Sequence, residues 1–196
     1  NIAVLVMANK RAPGGGVRKG IGAQEEDIWR RTDASRHTAQ YEHGATPHPL
    51  NTEVPTAMII KDVTIIRGPC EKGYPFLELR QKVTLTSVAA QNQPATINED
   101  DQILYGLPEE KIRMKMRIKV MLHAAKLSGC EAFVISAFGC GAFGHPPSEV
   151  AKLFKKEIED AGLDIPICIF SIIDDHNGGL AHNPLGNFKM FHEVLN

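Results

Sequence analysis

The residues best suited to chemistry are two adjacent carboxylates in the run Gln24-Glu25-Glu26, which follows the three glycines Gly14-Gly15-Gly16 after an interval running from Val17 to Ala23. A helix that opens at Gln24 places both carboxylates in its first turn, where the macrodipole favours negative charge, so ordinary helix-terminal electrostatics is one reading of the pair. Successive helical residues point about 100° apart. In the other reading the two therefore divide a task, one holding a ligand hydroxyl while its neighbour faces a scissile bond. Pro13-Gly14-Gly15-Gly16 offers backbone amides unshielded by side chains just ahead of that helix, which suits a phosphate. A tight turn would draw on the same residues. Gly139-Cys140-Gly141-Ala142-Phe143-Gly144 repeats the device after a second strand, and two facing loops of this kind suit a diphosphate. The first loop is not a Walker loop, since no Gly-Lys-Ser/Thr follows it, and it lacks the Gly-x-Gly-x-x-Gly dinucleotide spacing.

Both loops need strands behind them and helices ahead of them. Apolar runs at residues 2–7, 57–60, 63–67, 82–88, 132–138 and 167–173 read as strands, and several are continuous rather than alternating, as in a sheet covered on both faces. Helical patterns occupy residues 24–31, 108–127, 147–161 and 187–195. The second carries Ile112, Met116, Val120 and Leu127 at helical spacing, and the third carries Val150, Leu153, Phe154 and Ile158. Gly129 and Gly162 stand at helix stops. The second half of the chain alternates helix and strand, which implies crossover connections, parallel strands and an α/β/α layered sheet. Such sheets bind ligands beyond the carboxyl ends of their strands, where the two glycine loops lie.

The interval from the triglycine to Gln24-Glu25-Glu26 is the signature that poly(ADP-ribose) glycohydrolases carry in their macrodomain fold, and the sequence resembles the microbial branch of that family. The resemblance extends to Ala8-Asn9-Lys10-Arg11-Ala12-Pro13, to Asp27-Ile28-Trp29-Arg30-Arg31-Thr32, to the second loop through Pro147, and to Asp174-Asp175-His176-Asn177 with Asn187-Phe188. It implies a three-layer α/β/α macrodomain with a mixed, largely parallel sheet, and hydrolysis of the ribose–ribose O-glycosidic bond of poly(ADP-ribose). Position by position, it implies that Asn9 holds the terminal ribose and that Gly14, Gly15 and Gly16 line the diphosphate and ribose sites with Glu25 and Gln24. Glu26 is then the acid. Gly139, Cys140, Gly141, Ala142 and Phe143 close over the diphosphate, with Phe143 beside the distal ribose. Two positions depart from the pattern: Val6 stands where macrodomains often have Asn, and His145 stands where Asn or Asp is expected after Phe-Gly. A non-catalytic ADP-ribose reader and a mono-ADP-ribosyl hydrolase share the same pocket.

Composition narrows the field further. A chain of 196 residues with 43% hydrophobic and 23% charged residues and a formal net charge of −1 reads as one globular domain. No polybasic run grips nucleic acid or anionic lipid, and the longest apolar stretches are too short to span a bilayer. The expected partners are poly(ADP-ribose) or ADP-ribose and ADP-ribosylated proteins. Cys70, Cys130, Cys140 and Cys168 lack paired short spacing and read as reduced thiols of a cytoplasmic or nuclear protein. Cys140, between two glycines, reads as a small packing residue, and Trp29 as core. His43, His48, His176 and His182 with Asp174 and Asp175 lack zinc-site spacing, so neither metal nor cofactor is expected. The chain opens inside an apolar run without an initiator Met, and an upstream segment of the family is expected to be missing.

Overall fold

The computed structural model describes residues 1–42, 46–100, 102–160, 165–174 and 186–196. A five-stranded sheet runs in the order β2-β3-β1-β6-β7, built from β1 (Ile2–Met7), β2 (Ala57–Arg67), β3 (Phe76–Val88), β6 (Ala132–Ile135) and β7 (Ile167–Phe170). β1 pairs in parallel with both β3 and β6, β6 pairs in parallel with β7, and β2 runs antiparallel to β3. A separate hairpin joins β4 (Thr96–Glu99) to β5 (Gln102–Tyr105).

β1 shows why the sheet is covered on both faces. Ala3 and Leu5 enter a core formed with α4 (Pro108–Leu127), α5 (Pro147–Asp160) and α6 (Asn187–Leu195), whereas Val6 and Ala8 enter a second core with Trp29 of α1 (Gln24–Arg31) and Ala34 of α2 (Ala34–His37). The alternation of the pleat sorts one continuous apolar run into two layers. Phe154 of α5, Phe170 of β7 and Phe191 of α6 close the first core, with ring centroids 5.4, 5.9 and 6.3 Å apart.

The three-layer mixed sheet agrees with the sequence reading, while several details differ. The runs at 57–60 and 63–67 are one strand. Lys61 and Asp62 form an exposed irregularity between them, with Asp62 at φ 60 and a register shift between Ile60 and Val63. β3 begins at Phe76 rather than at Lys82, because its exposed first half pairs with β2 as a two-stranded ribbon. β6 stops at Ile135 and β7 at Phe170, each giving way to loop. The hairpin β4–β5 and the short helices α2 and α3 (Ala39–Glu42) were not expected.

In α4 the stripe Ile112, Met116 and Leu127 faces outward, at 57%, 45% and 76% exposure. The helix buries Met114, Ile118, Met121, Leu122 and Ala125 instead. Gly129 ends α4 with φ +71, whereas Ala161 and Gly162 lie outside the described residues. Asp174 caps α6, its Oδ1 accepting the N–H groups of Asn187 and Phe188 at 2.7 and 3.0 Å.

The inverted face of α4 makes a direct prediction. Met121→Ala, which empties core space, is expected to lower unfolding stability by about 2–5 kcal/mol, whereas Met116→Ala should stay within about 0.5 kcal/mol of the wild type. Urea denaturation of both variants tests this, and equal losses would mean that both faces of α4 are buried.

Candidate active site

β1 pairs with β6 only through Val4, yet it pairs with β3 as far as Met7. The edge left bare on the β6 side is completed by side chains from the start of α1. Gln24 Oε1 accepts from Met7 N at 2.9 Å while its Nε2 donates to Leu5 O at 2.6 Å. Two residues further along the same edge, Asn9 N donates to Glu25 Oε2 at 2.6 Å. The amide of Gln24 thus does for β1 what a neighbouring strand would do, holding the helix to the sheet. Its second Nε2 hydrogen remains for a ligand contact of the kind the motif implies.

Glu25 and Glu26 are both buried, at 4% and 6% exposure. Glu25 uses both oxygens on backbone amides, Asn9 N and Gly14 N, the latter at 2.9 Å. Its carboxyl is nonetheless raised to about 7. Burial is the main cause and outweighs the two amide bonds, and the charge of Glu26 adds to the rise. Glu26 Oε1 accepts from Gly16 N at 2.8 Å, while its Oε2 has no hydrogen-bond partner among the described residues.

The glycines follow from this packing. Gly15 sits against both carboxylates at φ +52, where a β-carbon would overlap Glu26 Oε1 and lie 3.0 Å from Glu25 Oε2. Gly14, at φ +73, lies against the indole of Trp29, whose Nε1 would be 2.6 Å from a β-carbon. Of the amides that the sequence offers to phosphate, Gly14 N and Gly16 N are bound to the glutamates and Gly15 N donates to Ala12 O at 3.2 Å. The first loop is therefore folded onto its own helix. Arg30 holds its far end through Ile21 O at 2.6 Å. Asn9 Oδ1 accepts Arg11 N at 2.8 Å in an Asx turn, which leaves the exposed Asn9 Nδ2 unbonded.

The second loop leaves the carboxyl end of β6, the strand beside β1. Here the amides are free: Gly139, Gly141, Ala142 and Phe143 N–H donate to no other group among the described residues. By letter the loop has the spacing Gly-x-Gly-x-x-Gly, but α5 opens only at Pro147, beyond His145.

His145 is the residue that the sequence showed only as a departure. It is 1% exposed, its Nε2 donates to Gln91 O at 2.7 Å, and its Nδ1 accepts from the Tyr105 hydroxyl at 2.8 Å. A carbonyl on one side fixes the proton on Nε2, and burial lowers the imidazole to about 4, so it stays neutral. Gln93 N donates to Phe143 O at 2.9 Å, which ties the loop a second time to the exit of β3. The ring also packs so closely on Gly139 that a β-carbon there would come within 2.7 Å of His145 Cδ2.

Cys140 is fully buried, and burial pushes its thiol well above the usual range, as a packing residue requires. All four cysteines are free. Trp29 is core. His48 is buried with its Nδ1 on Lys10 O at 3.1 Å, and Asp174 caps α6. His43, Asp175, His176, Asn177 and His182 lie outside the described residues. A concavity of about 370 Å³ lies between Thr32, Arg36 and Arg80, away from the glutamates. The chemistry stands at the carboxyl ends of β1 and β6, where an open α/β sheet places its ligands.

Residues 1–61 match the family described as microbial-type PARG, catalytic domain. No curated protein matches the chain in sequence. Two solved structures share its fold. The poly(ADP-ribose) glycohydrolase of Deinococcus radiodurans in complex with ADP-ribose has 21% identity and a TM-score of 0.73 over 99% of this chain and 75% of that one. The enzyme of Thermomonospora curvata bound to the inhibitor ADP-HPD has 24% identity and a TM-score of 0.71 over 98% and 70%. In fold over nearly its whole length, and in family sequence over residues 1–61, the chain is similar to the microbial-type poly(ADP-ribose) glycohydrolases.

Proposed function

We propose that the protein hydrolyses the ribose–ribose O-glycosidic bonds of poly(ADP-ribose) and releases ADP-ribose, with Glu26 as general acid. The observation that carries the assignment is the difference between the two glutamates. Both oxygens of Glu25 are occupied by backbone amides, whereas Glu26 Oε2 has no hydrogen-bond partner among the described residues. Glu26 donates its proton to the departing ribose oxygen as positive charge develops at the anomeric carbon. The carboxylate so formed then takes a proton from the attacking water, which returns the acid to its starting form. Glu25 positions the loop and, with a carboxyl raised to about 7, keeps a proton beside Glu26 near neutrality. The free amides of Gly139, Gly141, Ala142 and Phe143 suit the diphosphate, and the free Asn9 Nδ2 suits the terminal ribose. The residues named here complete the reaction with neither metal nor organic cofactor.

Three outcomes are expected. Glu26→Gln keeps the Gly16 contact and removes the transferable proton. Release of ADP-ribose from the polymer should therefore fall by about 10²–10⁴ while ADP-ribose binding, measured by calorimetry, stays within several-fold. An active wild type with an equally active variant would remove Glu26 from the chemistry. An inactive wild type that binds ADP-ribose would make the protein a reader, and cleavage confined to mono-ADP-ribosylated protein would change the substrate.

The second outcome concerns pH. The Glu25 carboxyl, raised from 4.5 to about 7, is protonated below that value and ionised above it. Glu25 therefore gains a negative charge beside the proposed acid as pH rises, and kcat/KM should decline above about pH 7. A profile flat from pH 6 to 9 would mean that the charge of Glu25 does not bear on the chemistry.

The third outcome tests the anchor of the second loop. His145→Phe strands the Tyr105 hydroxyl and the Gln91 carbonyl at a cost of about 1–3 kcal/mol each. It should lower Tm and weaken ADP-ribose binding together. Loss of stability with unchanged affinity would mean that the loop finds its place without this histidine.

A further inference from the structure

The parallel register of β1 and β3 continues past Met7 and Val88, since Ala8 N donates to Val88 O at 3.0 Å. Asn9-Lys10 and Ala89-Ala90 therefore leave the sheet side by side. At that point α4 delivers a half-buried guanidinium: Arg117 Nε donates to Ala89 O and its Nη1 to Arg113 O, each at 3.1 Å. Lys10 reaches across to Glu53, whose side chain is 91% exposed. Lys10 holds the Glu53 carboxyl below its usual value, and Arg117 and Arg113 add to that effect. Lys10 is thus paired with a solvent-facing carboxylate, and Arg117, with Arg113 one turn before it, stands where Ala89 leaves the sheet beside Asn9 and Lys10.

Arg117 has no carboxylate within ion-pair distance among the described residues, and Arg113 meets Glu110 only at 3.9 Å. A partly desolvated guanidinium bound only to carbonyls keeps a charge that an incoming anion can neutralise. Glu53, on an exposed side chain, pairs with Lys10 and lies beyond ion-pair distance of both guanidinium groups.

We propose that Lys10, Arg113 and Arg117 form a second anion subsite, separate from the glycine loops, that takes the diphosphate of the unit on the leaving-group side of the scissile bond. The assignment rests on the proposed function, in which Asn9 meets the terminal ribose. Whatever is linked to that ribose then emerges beside Lys10. In poly(ADP-ribose) the leaving group is an adenosine ribose carrying its own diphosphate. In a mono-ADP-ribosylated protein it is an amino-acid side chain without phosphate. The subsite therefore favours polymer over monomer, and it does so on the leaving-group side alone. Glu53 competes with the polymer for these cations.

The test compares affinities for labelled poly(ADP-ribose) and for ADP-ribose, in protein carrying Glu26→Gln so that nothing is cleaved. Adding Lys10→Ala and Arg113→Ala, both at exposed side chains, should weaken polymer binding about tenfold and flatten its salt dependence, as loss of phosphate contacts does. ADP-ribose affinity should stay within about twofold, given that these cations lie outside the glycine loops. Adding Glu53→Gln instead should tighten polymer binding. Equal weakening for both ligands, no change with polymer, or absence of polymer binding would overturn the subsite. Wild-type protein that shows these affinities but releases no ADP-ribose would overturn the hydrolase reading and leave the subsite standing.

Discussion

The site depends on one mismatch in the sheet: β1 runs on where β6 stops. Every backbone group on that edge needs a partner once it is buried. Gln24 and Glu25 supply three of these bonds, at Leu5 O, Met7 N and Asn9 N. A helix docked by its first two residues has its third fixed as well, which is why Glu26 stands at a defined place above the sheet. A hydrogen bond between neutral groups contributes about 0.5–1.5 kcal/mol net, so the three together hold the helix by a few kcal/mol, on the scale of one core side chain. The orientation of Glu26, the proposed acid, is thus a by-product of finishing a β-ladder.

Burial and hydrogen bonding act against each other at the two carboxylates. Three backbone amides from one loop favour their charged forms, and removal from water opposes them, decisively so at Glu25. The second loop is held by the opposite device, a neutral ring between two uncharged partners, Tyr105 and Gln91. A neutral anchor adds no cation that would compete for the loop's ligand and no anion that would repel it. One loop is thus closed around the protein's own carboxylates, and the other keeps its amides open. The asymmetry separates the buried carboxylates from the loop whose amides are free among the described residues.

Much of this was legible in the sequence, for identifiable reasons. β1 and α1 were read in full because a dense apolar run and a glycine-to-glutamate interval admit few alternatives. Which face of α4 is buried was not legible because the helix is apolar on two sides. Ile112 and Met116 keep helical spacing as well as Met114 and Ile118 do, and nothing local says which side meets the sheet. The hairpin β4–β5 was missed because its strands are four residues each, and the first is exposed throughout. The clamp that Gln24 makes on β1 was not legible because a side chain that completes a ladder depends on where a distant strand ends. His145 looked like a departure because its partners, Gln91 and Tyr105, stand 54 and 40 residues away.

The folding of the first loop onto Glu25 and Glu26 has a consequence for the thermodynamics of capture. A glycine-rich segment is ordinarily the most entropic part of a binding site, and ordering it is charged against affinity at the moment of association. Here Gly14, Gly15 and Gly16 are already immobilised by carboxylates, a tryptophan ring and a neighbouring turn before any ligand arrives. The loss of backbone freedom belongs to folding, where the whole hydrophobic core offsets it. Encounter with a ligand then begins from a rigid wall, so that recognition on this side of the cleft is a matter of shape rather than of disorder-to-order transition.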